Sequence, residues 1–208
     1  ATVLFGKCYD LSDAYLSRAK LIDADLIGAK LIDADLIGAK LIDADLIDAD
    51  LIGAKLIDAD LIGAKLIDAN LSGAKLIGTK LIGTKLSRAK LIGANLSRAN
   101  LSDADLSRAD LKKAIYTKET KFPQNFDPVK QQMLLIAPGV NLSGADLSGL
   151  NLTFLDFKDI NLSGADLTGT DLSYAQNLTP EQVKSAKNWE KAYYGDEFRK
   201  KLGLPPEK

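Results

Sequence analysis

The chain of 208 residues has no histidine and a single cysteine, Cys8. These two gaps remove Ser-His-Asp and Cys-His catalysis, ordinary zinc sites and any internal disulfide. Cys8 reads as a small residue of the opening turns, not as a reactive thiol. No apolar run approaches the roughly eighteen residues that would cross a bilayer. The opening Ala1-Thr2-Val3-Leu4-Phe5-Gly6 is too short and too uncharged for a secretory signal. A cytoplasmic location without membrane contact is therefore expected. Phosphate loops and dinucleotide fingerprints are missing too. No catalytic, cofactor-binding or metal-ligating residue is expected, and no cofactor.

What is present is a period. From Leu11 to Leu111 a leucine falls on every fifth position, twenty-one times without a miss. Two positions before nearly every leucine stands alanine, as at Ala14, Ala19 and Ala24, with Thr79 and Thr84 as substitutes within the array. A five-residue step turns an α-helix by about 140°, which smears the leucines around the cylinder. A plain strand would point Leu16 and Leu21 to opposite faces. A short extended segment followed by a corner satisfies the period. With the leucine labelled i, positions i−2 and i face inward, i−1 and i+1 face outward, and one residue is left to turn the chain. Glycine fits the corner at i+2, as at Gly28, Gly38, Gly53, Gly63, Gly73, Gly78, Gly83 and Gly93. Isoleucine occupies i+1 thirteen times, from Ile22 to Ile92, and favours extended backbone. One pentad cannot bury its own leucine, so the chain must coil and stack, with neighbouring coils about 4.8 Å apart.

Spacing alone leaves open how many pentads close a coil. The motif A-(D/N)-L-x-x, as in Ala24-Asp25-Leu26-Ile27-Gly28 and Ala94-Asn95-Leu96-Ser97-Arg98, resembles the pentapeptide-repeat family. The resemblance implies an all-β fold: a right-handed quadrilateral β-helix with four pentads per coil. Leu16, Leu36, Leu56, Leu76 and Leu96 would then stack on one face. It also implies that Lys20 lies over Lys40 and Asp25 over Asp45, a modest like-charge cost that the leucine ladders outweigh. Nine lysines stand at i−1, where the family prefers Asp or Asn.

The organisation expected is a main array over 1–116 with residues 1–15 as its end coil, in which Gly6 and Tyr9 depart from the consensus. An insertion over 117–139 carries a short helix starting at Asp127-Pro128, with Val129, Met133 and Leu134 as its docking face, and ends at Pro138-Gly139. A second array over 140–177 is centred on Leu142, Leu147, Leu152, Phe157, Leu162, Leu167 and Leu172. Its register is one residue off the first, and the insertion must absorb the difference. A C-terminal α-helical cap and tail over 178–208 completes the chain. Thr179-Pro180-Glu181-Gln182 opens a helix running to about Tyr194, with Val183, Ala186, Trp189 and Tyr193 on one face. Gly195 stops it, Asp196 caps a second helix, and a tail follows Gly203.

The net charge is −1, unevenly laid out. Residues 23–68 hold eleven Asp against four Lys, and residues 69–118 hold ten Lys and Arg against three Asp. Self-association through these opposite halves, or through isoleucine stripes such as Ile22, Ile42, Ile62 and Ile82, is a partner expectation; no obligatory partner is. The Asp23/Asp25 pair reads as solvated carboxylates, since the glycine-rich nonapeptide of calcium-binding rolls is missing. Paired carboxylates for glycoside hydrolysis would need a cleft. Asn141-Leu142-Ser143 matches a glycosylation triplet only because the repeat places Asn there.

The block Ala-Lys-Leu-Ile-Asp-Ala-Asp-Leu-Ile-Gly recurs almost verbatim, outward positions included. Packing constrains only inward positions, so the sequence reads as a synthetic or consensus-built middle, with a recent natural duplication as the alternative, joined to a C-terminal part similar to cyanobacterial members. The expected function is a non-enzymatic structural scaffold. The alternative, implied by the resemblance, is a protein-binding rod that mimics DNA at a type II topoisomerase. The i−1 and i+2 positions from Arg18 to Lys113 carry fourteen Asp and fourteen Lys plus Arg, a poor match to a nucleic acid.

Overall fold

The computed structural model describes residues 9–205. The expectations for Gly6, Cys8 and the end of the tail lie outside the described residues. The chain divides into two compact units, Ala1–Leu134 and Leu135–Lys208.

The first unit is a stack of twenty-residue coils. Parallel bridges join each i−1 residue to the residue twenty further on, from Asp10–Lys30 to Asn95–Ile115. Tyr15, Asp35, Lys55, Lys75 and Asn95 form one such column, which places Leu16, Leu36, Leu56, Leu76 and Leu96 in register behind it. Four corners divide each coil, and the fold is the right-handed quadrilateral β-helix.

Every corner is a turn in which the leucine carbonyl accepts the N–H of i+3, as from Ala14 to Leu11 at 3.1 Å. The i+2 residue takes φ between 54° and 70° in all twenty-one pentads from Asp13 to Lys113. Eight of these are glycine, and the rest are Asp, Arg and Lys. The left-handed conformation is therefore imposed by the coil, at some cost where the side chain is not glycine.

A pentad's five N–H groups can be accounted for. The i−2 group closes the corner. The i−1, i and i+2 groups bond to adjacent coils, as in Lys55 to Ala34 at 2.9 Å, Leu36 to Lys55 at 2.8 Å and Asp33 to Ile52 at 2.9 Å. The fifth, at i+1, goes to the side chain at i−1 when that residue is Asp or Asn, as in Ile37 to Asp35 Oδ1 at 3.1 Å. This gives a physical reason for the A-(D/N)-L pattern: the carboxylate or amide starts the corner. Lysine has no acceptor to offer.

Inside, leucines and alanines from Leu26 to Leu101 are buried, and Leu31 to Leu101 are fully so. Each such leucine contributes about 1.5–3 kcal/mol, set against the entropy of ordering. Thr79 and Thr84 fit the alanine column because their hydroxyls donate to carbonyls, Thr79 to Leu56 and Thr84 to Leu81, both at 2.7 Å.

The expected helix after Asp127-Pro128 does not form. Asp127 Oδ1 does accept the N–H groups of Val129 and Lys130, at 3.0 and 3.3 Å, as a helix cap would. Two turns follow, and the chain then straightens because Leu134 donates to Ala114 at 2.8 Å. That ladder bond wins over helix propagation. Val129 is 72% exposed, Met133 is buried and Leu134 is half-buried, so the expected docking face is not one face. The segment packs instead through Phe122, stacked on Phe126 at 4.9 Å and edge-on to Tyr116 at 5.5 Å. One extra residue enters at its first corner, where Asn100 pairs with Lys121.

The second unit repeats the same coil, bridging Asn141–Asn161, Asp146–Asp166, Asn151–Asp171 and Asp156–Gln176. Its first corner is Ala137-Pro138-Gly139-Val140, with Gly139 at φ 77°, so the array begins before Val140. Phe157 is fully buried, and Leu150, Leu155 and Ile160 fill the enlarged i−2 positions.

Thr179 and Gln182 form the expected capping box, but α1 spans only Pro180–Lys184. The chain then returns to the ladder: Lys187 donates to Ala165 and Tyr193 to Thr170, both at 2.8 Å. A long helix would forfeit these bonds. Trp189–Lys191 forms one 3-10 turn, and Tyr193 is exposed while Ala192 and Tyr194 are buried. Gly195, not Asp196, is the cap position of α2, Asp196–Leu202, and Gly203 ends it at φ 78°.

Candidate functional site

Among the described residues the interior is walled mainly by leucine and alanine, side chains with no titratable or nucleophilic group. The charged side chains stand on the outward columns. Among the described residues of the first unit eight bridges pair opposite charges, including Asp35–Lys55, Lys40–Asp60 and Lys90–Asp110. Four pair like charges: Lys20–Lys40, Asp25–Asp45, Lys55–Lys75 and Lys65–Lys85. The stacking expected of Lys20 and Asp25 is present, but most charged rungs are attractive. Ion pairs one coil apart join Lys65 to Asp45 at 3.0 Å and Lys80 to Asp60 at 3.2 Å, and Arg88 to Asp68 through a two-pronged contact.

Among the described residues the carboxyls with shifted titration are all shifted down. The Ser17 hydroxyl and the Ile37 N–H hold Asp35 below the ordinary carboxylate range. Ser107 does the same for Asp105, and Thr168 with Asn188 for Asp166. Arg88 lowers Asp68. None of these groups is poised as a general acid, a role that needs a raised value. Burial pushes the Tyr194 hydroxyl up; it donates to the Trp189 carbonyl at 2.8 Å.

Asp23 sits inside one corner at φ 55° and Asp25 opens the next, where Asp25 Oδ1 accepts the Ile27 N–H at 3.3 Å. Among the described residues no group of three Asp, Glu, Cys or His side chains is arranged to hold a metal ion. No helix among them is long and apolar enough to cross a membrane. The isoleucine stripe is less exposed than an outward position implies. Ile22 is 48% exposed, while Ile42, Ile62 and Ile82 are half-buried against one another's coils.

In the second unit a shallow open groove lies between Lys158, Asn161, Asn177 and Gln182. Its polar groups are engaged in closing the last coil. The Gln182 amide donates to the Phe157 and Ile160 carbonyls at 2.8 Å each, and Asn177 donates to Asp156 at 2.8 Å. Phe154 and Tyr174 stack at a corner, rings 5.2 Å apart and 4° from parallel, both exposed and both at positive φ. Sequence reasoning missed this pair; the signal was two aromatics at i+2 positions twenty residues apart.

The family model "Pentapeptide repeats" matches eight copies, over residues 10–46, 44–81, 79–115, 136–164 and 145–176. Solved structures similar to the chain include three proteins from cyanobacteria. Rfr23 from Cyanothece 51142 is 34% identical over 48% of this chain, TM-score 0.25; the chain spans 64% of its length. The protein alr5209 from Nostoc Pcc 7120 is 34% identical over 61% of this chain and 84% of its own, TM-score 0.32. HetL from Nostoc sp. strain PCC 7120, a protein involved in heterocyst differentiation regulation, is 31% identical over 89% of this chain and 82% of its own, TM-score 0.20. No curated protein matches. With the twenty-residue ladder, the A-(D/N)-L corner and a family match spanning both arrays, the chain belongs to the pentapeptide-repeat family.

Proposed function

We propose that the chain is a non-enzymatic structural scaffold, engineered from a consensus pentad in its first array and joined to a cyanobacterial-like C-terminal part. The observation carrying this is the regularity of the outward columns. Packing dictates leucine and alanine inside, yet Lys, Asp and Ile also recur outside in a fixed order, and eight charged rungs are complementary. Members of the family are generally structural or protein-binding. The second array, with varied outward residues and bulky i−2 positions, lacks that regularity.

The acidic stretch of residues 23–68 favours a second reading, binding at the DNA site of a type II topoisomerase. The basic stretch that follows opposes it, because a DNA mimic needs one sign throughout. A gyrase supercoiling assay separates the two. The scaffold reading expects unchanged supercoiling and no protection from quinolones at low micromolar protein. Inhibition or protection would replace it with the DNA-mimic reading.

A further inference from the structure

The face of the first unit centred on Asp25, Asp45, Lys65 and Lys85 has an unusual symmetry. These four residues follow one another up the stack, bridged in sequence. Read upward these four are minus, minus, plus, plus, and Asp105, bridged to Lys85, follows one level above them. Turned end over end and laid against itself, it places Asp25 opposite Lys85 and Asp45 opposite Lys65 at every level. The flanking columns obey the same operation. On one side Ile27, Ile47, Ile67 and Ser87 bring Ile47 opposite Ile67. On the other, Asp23 and Asp43 come opposite Gly83 and Gly63, where no side chain projects.

We propose that this face is the interface of an antiparallel dimer of the chain, its two-fold axis passing between the levels of Asp45 and Lys65. Within one copy the outer rungs of this column are like-charged, Asp25 over Asp45 and Lys65 over Lys85. Within these four levels the central rung is satisfied internally, by the Lys65–Asp45 ion pair, and above them Lys85 is bridged to Asp105. Across the dyad two such pairs meet head to tail and form an alternating square of four charges. Every like-charged rung then faces its opposite. An interface with a two-fold axis must be self-complementary, and this column meets that condition. The apolar share comes from Ile27, 50% exposed, and half-buried Ile47 and Ile67. Four levels span only about 14 Å from first to last, so the contact is small and the dimer weak and salt-sensitive.

Sedimentation equilibrium on the full chain tests this, from about 10 µM to about 1 mM, in roughly 20 and 200 mM NaCl. A dimer is expected, with its dissociation constant rising about tenfold at the higher salt. Two charge reversals sharpen the test. Asp25→Lys with Asp45→Lys makes the four levels all positive, and Lys65→Asp with Lys85→Asp makes them all negative. Each variant alone should be monomeric, and an equimolar mixture should form a heterodimer. Circular dichroism checks that both fold. If a reversed column unfolds the chain, Ile47→Arg takes its place and should give a monomer. A monomeric parent chain at 1 mM in low salt overturns the proposal. So does a dimer that survives the reversals, or Ile47→Arg, with undiminished affinity.

Discussion

Asn95 Oδ1 accepts the backbone N–H of Ser97 at 3.0 Å and the Ser97 hydroxyl at 2.6 Å, with both residues fully or almost fully buried. One side chain thus satisfies the corner N–H that the coil ladder cannot reach. Asn95→Ala leaves a buried donor without that acceptor and should cost about 1–3 kcal/mol in urea unfolding. The converse is Lys75→Asn, on the same column. It supplies an acceptor for the Ile77 N–H and removes the Lys55–Lys75 like-charge rung. It should stabilise by about 0.5–1.5 kcal/mol. A destabilised Lys75→Asn contradicts this account of the motif.

The leucine columns carry the stability, and their depth grades the cost. Leu56 is fully buried, whereas Leu16 in the first described coil is only partly so. Leu56→Ala should cost about 2–5 kcal/mol and Leu16→Ala distinctly less. Equal losses would mean that the first coil is as tightly packed as the third.

The corner conformation gives a gain-of-stability test. Arg108 is exposed and holds φ 58°, a conformation in which a side chain costs about 1–2 kcal/mol. Arg108→Gly removes that cost but adds unfolded-state entropy of roughly 0.5–1 kcal/mol. The net should be a stabilisation of about 0.5–1 kcal/mol, read from the denaturation midpoint.

Much of this was legible in the sequence because the inward rule is strict. A period of five with leucine at i and alanine at i−2 points to a short extended segment and a corner, and the family resemblance supplied the count of four pentads. The corner chemistry was only partly legible. Gly53 and Gly63 advertise their turns, but Asp33 and Asp43 adopt the same left-handed backbone without a sequence signal. The irregular segments were misread where local helix signals competed with ladder bonds. Asp127-Pro128 and Thr179-Pro180 are sound helix starts, yet Leu134, Lys187 and Tyr193 return to pairing positions, and nothing local announces that. The ring cluster of Tyr116, Phe122 and Phe126 was overlooked for a related reason: its members are spaced for no regular element.

Acid should unfold the chain late. Asp35, Asp105 and Asp166 titrate below the unfolded value of about 3.9, because hydroxyl and amide groups donate to their ionised forms. A carboxyl with a depressed folded value contributes stability above about pH 4 and loses it as pH falls through the folded value. Unfolding free energy should therefore hold level from about pH 5 to pH 8 and fall below about pH 4. A loss beginning above pH 5 would contradict the assigned bonds.

The most direct test of the twenty-residue coil is a distance between two spin labels on one column. In a Cys8→Ser background, labels at Asp23 and Asp103 lie four coils apart on the same corner. Double electron–electron resonance should give about 19 Å, four steps of roughly 4.8 Å, broadened by the label arms. Coils of three pentads would give about 26 Å. A distribution centred at that value or beyond would contradict the square stack.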